Sequence, residues 1–161
     1  MGKGMKPDKS IACIYDIDPA EMRTLGVKGF LFDIDNTLEV YAAPLPSARL
    51  QQWLSELKRG GFRLGILSNA KIVRAKHFAD GFDFPVAFVG KAGKPLKKGF
   101  TQLSALLKLR PAEIAMVGDQ LYTDILGGNR FGCYTILVSP IDLSREPAFV
   151  RFKRLLEKPF L

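Results

Sequence analysis

Two aspartates, Asp33 and Asp35, are the side chains of this sequence whose spacing points most clearly to chemistry. They follow the apolar residues 30–32 and precede the turn-prone pair Asn36 and Thr37. Because residues two apart in a strand point the same way, both carboxylates would lie on one face at the carboxyl end of that strand. Like charges this close favour a bound metal or a shared proton. The alternative is that the segment provides only a turn and a helix cap.

Three further polar groups follow later predicted strands. Ser68 and Asn69 carry a hydroxyl and an amide that can donate hydrogen bonds to phosphate oxygens, and Lys94 can neutralise a phosphoryl group as a point charge. Asp119 and Asp124 offer oxygen ligands of the kind that magnesium prefers. Each group alone has a structural alternative, namely a helix cap, a solvated basic face or an aspartate turn. Their order along the chain favours a phosphate and metal site, because open α/β sheets bind ligands at the carboxyl ends of their strands.

These groups depend on an alternation of strands and helices. Strands are predicted at 30–35, 63–67, 86–89, 114–117 and 135–138, and helices at 47–59, 72–80, 95–109 and 124–127. This order predicts an α/β, Rossmann-like domain with a parallel sheet of about five strands flanked by helices. We expect residues 1–161 to form that single domain, with its core at about 28–140 and a basic amphipathic segment at 141–161. Residues up to about 25 are interpreted as a lead-in.

Composition narrows the class of protein. A 47% apolar and 25% charged chain is typical of a folded protein, and no apolar run approaches membrane-spanning length. Cys13 and Cys133 form no metal-binding pattern and suit a reducing compartment, and no secretory signal is visible, so we expect a cytoplasmic protein. The 24 basic and 16 acidic residues give a net charge of +8. This favours an anionic partner without choosing among phosphate esters, anionic lipid and nucleic acid.

The four groups, DIDNT, SN, GKP and GDQLYTD, resemble the four motifs of the haloacid dehalogenase superfamily of phosphatases. They are most similar to its small capless branch (subfamily IIIA), which includes the YqeG-like proteins and the phosphatidylglycerophosphate phosphatases. The resemblance covers residues 28–140. It implies a Rossmann-like sheet and magnesium-dependent hydrolysis of a phosphomonoester through an aspartyl-phosphate.

The resemblance also implies a role for each motif residue. Asp33 would be the nucleophile, Asp35 the general acid and base, and Lys94 the cation that orients the phosphoryl group. Thr37 would support the loop, and the phosphate-binding set would be Thr37, Ser68, Asn69 and Lys94. The magnesium-binding set would be Asp33, Asp35 (through its backbone carbonyl), Asp119 and Asp124.

The intervals between the motifs bear on the substrate. About thirty residues separate Asp35 from Ser68 and about twenty-five separate Ser68 from Lys94, which leaves no room for a cap domain. The expected site is therefore open, and it suits a lipid head group at a membrane or a nucleic-acid end better than a small metabolite. We expect phosphatidylglycerophosphate as the substrate. The alternatives are a polynucleotide-end phosphatase and a non-catalytic, receiver-like phosphate-binding module, although the Asp35-x-Thr37 pattern argues against a receiver.

The C-terminal residues 148–161 have two interpretations. As a helix they would gather apolar side chains on one face and basic side chains on the rest: Ala148, Phe149, Phe152, Leu155 and Leu156 against Arg151, Lys153, Arg154 and Lys158. Such a helix either lies on anionic lipid, as a peripheral contact with the inner membrane face, or packs its apolar face on the sheet. The sequence leaves this choice and the oligomeric state open.

Overall fold

One of the two central strands of the sheet leads to Asp33, and all of its residues are buried. The structure, a computed structural model, describes residues 2–161. Its strands are β1 (Lys9–Ile11), β2 (Gly29–Phe32), β3 (Arg63–Leu67), β4 (Ala87–Val89), β5 (Ile114–Gly118) and β6 (Tyr134–Val138). They pair in the order β1-β6-β5-β2-β3-β4, and every pair is parallel. The α/β, Rossmann-like fold predicted from the sequence is therefore confirmed.

Helices cover both faces of this sheet, and the side chains of β2 alternate between the faces. The helices are α1 (Pro19–Thr24), α2 (Ala48–Arg59), α3 (Ile72–Asp80), α4 (Lys97–Leu107), α5 (Leu126–Phe131) and α6 (Ala148–Glu157). Phe30 and Phe32 belong to one apolar cluster with Leu54 of α2. Leu31 belongs to a second cluster with Phe100 of α4. Burial on both faces explains the uninterrupted apolar sequence of β2.

Strand β1 lies in the stretch that the sequence analysis interpreted as a lead-in. It pairs with β6 at the edge of the sheet, so the sheet has six strands. The backbone N–H of Asp8 donates to the carbonyl of Thr135 at 3.0 Å, and the Asp8 carboxylate accepts from the Thr135 N–H at 3.0 Å. A strand of three residues has too few positions to produce a periodic pattern, and only its pairing with β6 identifies it.

The strand order brings the carboxyl ends of β2, β3, β4 and β5 to one edge of the sheet. Successive connections run in opposite directions from β2, to β3 on one side and eventually to β5 on the other, which makes this edge the switch point where open α/β sheets bind ligands. Strand β2 ends at Phe32, earlier than the predicted Asp35, because the chain turns there. The N–H groups of Thr37 and Leu38 both donate to the carbonyl of Ile34, and Asn36 adopts a left-handed conformation with φ of 59°.

No separate cap interrupts the described part of the chain. Between β2 and β3 it contains one helix, α2, and between β3 and β4 it contains one helix, α3. Within residues 2–161, no helix has the length and apolar character needed to cross a bilayer.

Helix α6 has its apolar side exposed and its polar side against the rest of the protein. Its apolar side chains Phe149, Phe152, Leu155 and Leu156 are 56–61% exposed. The side that faces the rest of the protein carries Val150, Arg154 and Glu157 instead, of which Val150 and Glu157 are buried. Of the two interpretations of this segment, packing of the apolar face on the sheet is therefore wrong, and the apolar face is exposed.

Candidate active site

The carboxyl edge of the sheet holds a buried cluster of three carboxylates and one lysine. Asp33 follows β2, Lys94 follows β4, and Asp119 and Asp124 follow β5. The Lys94 ammonium donates to Asp33 Oδ1 at 3.0 Å and to Asp124 Oδ1 at 2.7 Å. Burial lowers the pKa of Lys94, but Asp124 and Asp33 outweigh that effect and raise it, so the side chain is a cation. The predicted members from three separate motifs are thus in direct contact.

The three carboxylates form a group that fits a small, hard cation. Asp33, Asp119 and Asp124 each offer an oxygen within 4.8 Å of the others. Burial raises the pKa of Asp33 well above its usual value, and Asp124 and Asp119 add to this effect while Lys94 opposes it. Burial likewise raises the pKa of Asp119 to about 7, with repulsion from Asp124 adding to it and Arg154 opposing it. Clustered, desolvated oxygen donors with surplus negative charge are suited to magnesium.

Asp35 lies beside this group, but its carboxylate points elsewhere. It accepts two hydrogen bonds from the guanidinium of Arg74 in α3, at 2.9 and 2.8 Å, and a third from the backbone N–H of Ala42 at 2.8 Å. Its side chain is therefore not one of the clustered oxygens, which is compatible with a role of its backbone carbonyl at the metal. The sequence analysis did not identify Arg74, because a single arginine in the first turn of a helix is normally a solvated side chain.

The predicted phosphate-binding residues divide into two kinds. Ser68 and Asn69 follow β3 and line the same cavity as Asp33 and Lys94, whereas Thr37 does not line it and donates its hydroxyl to Asp119 Oδ1 at 3.1 Å. Asn69 holds the backbone of Lys94, accepting from its N–H at 2.8 Å and donating to its carbonyl at 3.1 Å. Ser68 accepts from the N–H of Ala70 at 3.1 Å, which leaves its hydroxyl proton for another acceptor.

The site includes a cavity of about 440 Å³ at the surface of the protein. Asp33, Asp35, Ser68 and Lys94 form part of its floor and walls, and Arg74 lines its rim. Phe149, Val150 and Lys153 of α6 also line the cavity. The C-terminal helix therefore borders the mouth of the cavity, a position that the sequence analysis did not assign to it.

Close approach of β5 to Asp124 depends on a glycine. A Cβ atom on Gly118 would lie 2.2 Å from Asp124 Oδ2, so a larger residue cannot occupy this position unless Asp124 moves. Asp124 is also fixed by the backbone N–H of Gln120, which donates to Oδ2 at 3.1 Å. The GDQLYTD segment thus holds both of its aspartates close to the end of β5.

A second polar network joins α6 to the carboxylate cluster. Arg154 donates to both Asp119 and Glu146. Its pairing with Glu146 is bidentate, because Nε donates to the two carboxylate oxygens at 2.9 and 2.8 Å and Nη2 also donates to one of them. Glu146 also accepts from the side-chain amide of Asn36 at 2.7 Å. The prediction that Arg154 belongs to an exposed basic face is therefore wrong. A signal was present, since Glu146 and Glu157 are the only acidic residues in 143–161 and both are buried.

The comparison with protein families agrees with this arrangement. The sequence model described as "haloacid dehalogenase-like hydrolase" matches residues 38–132. "Probable phosphatase YqeG" of Bacillus subtilis (strain 168) is 37% identical over 155 residues, which are 96% of this chain and 88% of that protein.

A second relative is longer than this chain. "Phosphatidylglycerophosphate phosphatase 1, chloroplastic" of Chlamydomonas reinhardtii is 32% identical over 154 residues, which are 90% of this chain and 56% of that protein. The chain thus spans little more than half of the length of this relative. Among solved structures, an uncharacterized protein from Listeria monocytogenes serotype 4b superposes with a TM-score of 0.55 at 22% identity, covering 83% of this chain and 99% of that one. At that identity the likeness concerns the fold.

Proposed function

The chain belongs to the haloacid dehalogenase-like hydrolase family, and from that premise we propose that it is a magnesium-dependent phosphatase acting through an aspartyl-phosphate on Asp33. The observation that carries the proposal is the contact of Lys94 with Asp33 and Asp124, beside an open cavity that Asp33 and Lys94 line. A non-catalytic, receiver-like module is less well supported, because the family match is to hydrolases.

In the first step, Asp33 attacks the phosphorus atom of the substrate. The bond between phosphorus and the leaving oxygen breaks, its electron pair passes to that oxygen, and the protonated carboxyl of Asp35 donates a proton to it. Lys94 neutralises charge on the phosphoryl oxygens, and the Ser68 hydroxyl can donate to one of them. To act as an acid, Asp35 must release one hydrogen bond from Arg74, since both of its oxygens accept from that guanidinium.

In the second step, water attacks the phosphorus atom of the aspartyl-phosphate and gives its proton to the Asp35 carboxylate. The bond between phosphorus and Asp33 breaks, which regenerates the Asp33 carboxylate and releases inorganic phosphate. Asp33, Asp119 and Asp124 would hold magnesium, together with the backbone carbonyl of Asp35. When bound, the ion supplies Lewis-acid stabilisation of the phosphoryl oxygens and offsets the repulsion between the nucleophile and the phosphate dianion.

For the substrate we propose an anionic phospholipid with a terminal phosphomonoester, namely phosphatidylglycerophosphate, on which the chain would act as a peripheral protein at the membrane face. The relative from Chlamydomonas reinhardtii is named for this activity. The exposed apolar side of α6 supports the same choice, since Phe149 on that side lines the cavity together with Lys153. A surface that combines apolar and basic side chains can insert among lipid head groups and attract an anionic bilayer.

The chemistry is tested by a magnesium-dependent phosphatase screen over lipid phosphates, nucleotides, oligonucleotide ends and sugar phosphates. Brief incubation with a ³²P-labelled substrate followed by acid quenching should trap phosphate on the wild-type protein and none on Asp33→Asn. Trapped phosphate at equal levels on both proteins would contradict the assigned nucleophile.

The substrate class is tested with vesicles that contain phosphatidylglycerophosphate. Replacing Phe152 and Leu156 with Ser should weaken vesicle binding and lipid turnover while leaving p-nitrophenyl phosphate hydrolysis unchanged, because neither residue lines the cavity. Leu106→Ser on α4 is the matched control, since Leu106 is as exposed as Phe152, each at 61%. Arg154 is not substituted in this test because it contacts Asp119. Equal vesicle binding by all variants would contradict the lipid-facing role of α6.

A polynucleotide-end phosphatase is the second candidate, and the net charge of +8 is the observation that favours it. Higher turnover of oligonucleotide ends than of lipid phosphate in the same screen would select it. The carboxylate cluster and the nucleophile would serve either substrate.

A further inference from the structure

A closed ring of side chains surrounds Asp119. One carboxylate oxygen of Asp119 accepts from Thr37, and the other accepts from Arg154. Arg154 is in turn paired with Glu146, and Glu146 accepts from Asn36, the neighbour of Thr37 in the turn after β2. Both oxygens of Asp119 therefore accept hydrogen bonds, one directly from Thr37 and the other from Arg154, which connects through Glu146 to Asn36.

The two C-terminal members of the ring, Glu146 and Arg154, are not surface charges. The Glu146 side chain is 1% exposed and that of Arg154 is 16% exposed. Arg154 also donates to the backbone carbonyl of Asp119 at 3.2 Å, so that it contacts this residue at two points. Desolvated charges are costly unless they are paired and hydrogen-bonded, and the ring provides both conditions.

We propose that Arg154 is a positioning residue for Asp119, and that Arg154 and Glu146 make the C-terminal helix a required part of the metal site. The inference rests on the proposed magnesium site, for which Asp119 is one of three clustered carboxylates. A guanidinium that contacts one oxygen and the backbone carbonyl fixes the orientation of the carboxylate, and the oxygens offered to the metal are fixed with it. Groups that orient a metal ligand through hydrogen bonds typically change metal affinity by about 10- to 100-fold.

A competing role for Arg154 would be repulsion of the cation through its own charge. The bidentate Glu146 argues against this role, because it neutralises the guanidinium at close range. What remains is the geometric contribution of a planar donor, which lysine reproduces poorly. The two roles predict changes of opposite sign, so metal affinity distinguishes them.

Attachment of α6 to the domain has a separate anchor, which supplies a control. The carboxylate of Glu157 accepts from the backbone N–H of Tyr122 at 2.9 Å and does not contact Asp119. Arg151 provides a second control on the same helix, since it donates to the backbone carbonyl of Ser144 at 2.9 Å and reaches none of the clustered carboxylates. A substitution at Arg151 can thus disturb the attachment of the helix without disturbing the contacts of Asp119.

The test measures magnesium binding by isothermal titration calorimetry, and manganese binding by electron paramagnetic resonance, on full-length wild type, Arg154→Met, Arg154→Lys, Glu146→Gln and Arg151→Gln. We expect about a 10-fold or greater rise in the metal dissociation constant for Arg154→Met. Arg154→Lys and Glu146→Gln should fall between it and wild type, and Arg151→Gln should match wild type. Added guanidinium chloride at millimolar concentration should restore part of the affinity of Arg154→Met and leave the other proteins unchanged.

Four results would overturn the inference. Metal binding to Arg154→Met that is unchanged or tighter than in wild type would show that Arg154 does not position a ligand. An equal loss in Arg151→Gln, or unfolding of Arg154→Lys as judged by circular dichroism, would show that Arg154 only stabilises the helix. A wild-type protein that binds no divalent metal would contradict the proposed function, and this inference with it, whereas normal wild-type binding with unaffected variants would contradict this inference alone.

Discussion

Asp33 makes the contacts that its two proposed roles, nucleophile and metal ligand, would require. It contacts a buried lysine, and it lies within reach of two further carboxylates. Burial and its acidic neighbours raise its pKa even though Lys94 opposes them. Ionisation of Asp33 is therefore less favourable in the metal-free protein than in an unfolded chain, and a bound metal cation would stabilise the ionised form.

We accordingly predict that Asp33→Asn abolishes turnover and does not lower the stability of the metal-free protein. The amide removes a charge that is repelled by Asp124 and Asp119, while its oxygen can still accept from Lys94. In EDTA at pH 8, the melting temperature should equal or exceed that of wild type, as measured by differential scanning calorimetry. A melting temperature several degrees below wild type would show that the Lys94 pair outweighs the repulsion.

The pKa of Asp119 predicts how stability varies with pH in the absence of metal. Its value of about 7 in the folded protein lies above the usual value of about 3.9 for an unfolded chain. The stabilising contribution of the protonated carboxyl is thus fully present below about pH 4 and is lost as the pH rises to about 7. In EDTA, the free energy of unfolding of wild type should fall across this window relative to that of Asp119→Asn.

Magnesium should reverse this loss, because it binds the ionised form. The rise in melting temperature caused by magnesium should be larger at pH 8 than at pH 5.5 and much smaller in Asp119→Asn. Wild-type and variant curves that run parallel in EDTA from pH 4 to 7 would contradict the raised pKa.

At the scale of elements, the end of β5 is a place where two motifs meet at close range. Gly118 lets Asp124 approach the strand, and Asp124 in turn binds Lys94 from the end of β4. One residue without a side chain therefore makes the contact between two motifs possible. This is a requirement of space, since the methyl carbon of an alanine at this position would overlap the Asp124 carboxylate.

We predict that Gly118→Ala weakens magnesium binding by about tenfold or more, because the new methyl group displaces Asp124. Gly128→Ala is the matched control: its Cβ would lie 2.7 Å from a methyl group of Thr135 and 3.1 Å from Met116, which are core contacts. The control should lose stability but keep its affinity for magnesium. Titration calorimetry with parallel thermal melts separates the two effects, and equal metal affinity in both variants would contradict the role of Gly118.

The two sides of helix α6 differ in their contacts. Arg154 and Glu157 hold the inner side to the segment after β5, while Phe152 and Leu156 leave the outer side exposed. An ordinary terminal helix would bury its apolar side, which contributes about 25 cal/mol per Å² of apolar area removed from water. The reversed orientation forgoes that gain within the monomer, and contact of the apolar side with lipid would recover it.

Across the whole molecule, the proposed lipid substrate would bring the excess of basic residues and the exposed apolar side of α6 to bear together at a membrane. Each basic side chain near an anionic surface contributes about 1 kcal/mol at moderate ionic strength. The net charge of +8 favours approach to the surface, whereas the apolar side chains favour insertion. The open cavity beside α6 would then face the head groups.

Salt should therefore separate lipid binding from catalysis. Raising the ionic strength from about 0.1 to 1 M shortens the Debye length from about 10 to about 3 Å. We expect the affinity for anionic vesicles to fall strongly over this range in flotation assays, with the kcat for p-nitrophenyl phosphate changing little. Vesicles of zwitterionic lipid should bind weakly at both ionic strengths, and salt-independent binding to anionic vesicles would contradict the electrostatic contribution.

The order of the motifs and the periodicity of the elements were sufficient to predict the sheet, its central strand and the edge that carries Asp33, Ser68, Lys94, Asp119 and Asp124. This succeeds because a buried parallel strand must be apolar throughout, and because parallel strands deliver their carboxyl ends to one edge. Both rules act on local sequence. Strand β1 escaped them because an edge strand of three residues is defined by its partner β6.

Tertiary structure alone decided which partner each polar side chain takes. The sequence cannot indicate that Asp35 pairs with Arg74, that Thr37 contacts Asp119, or that Arg154 lies against Asp119 across 35 residues of chain. It also left the orientation of α6 open, because amphipathicity defines two sides of a helix without stating which one faces the protein. Only the placement of buried Glu146 and Glu157 resolves that choice, since a desolvated carboxylate must find a donor and the donors lie on the inner side.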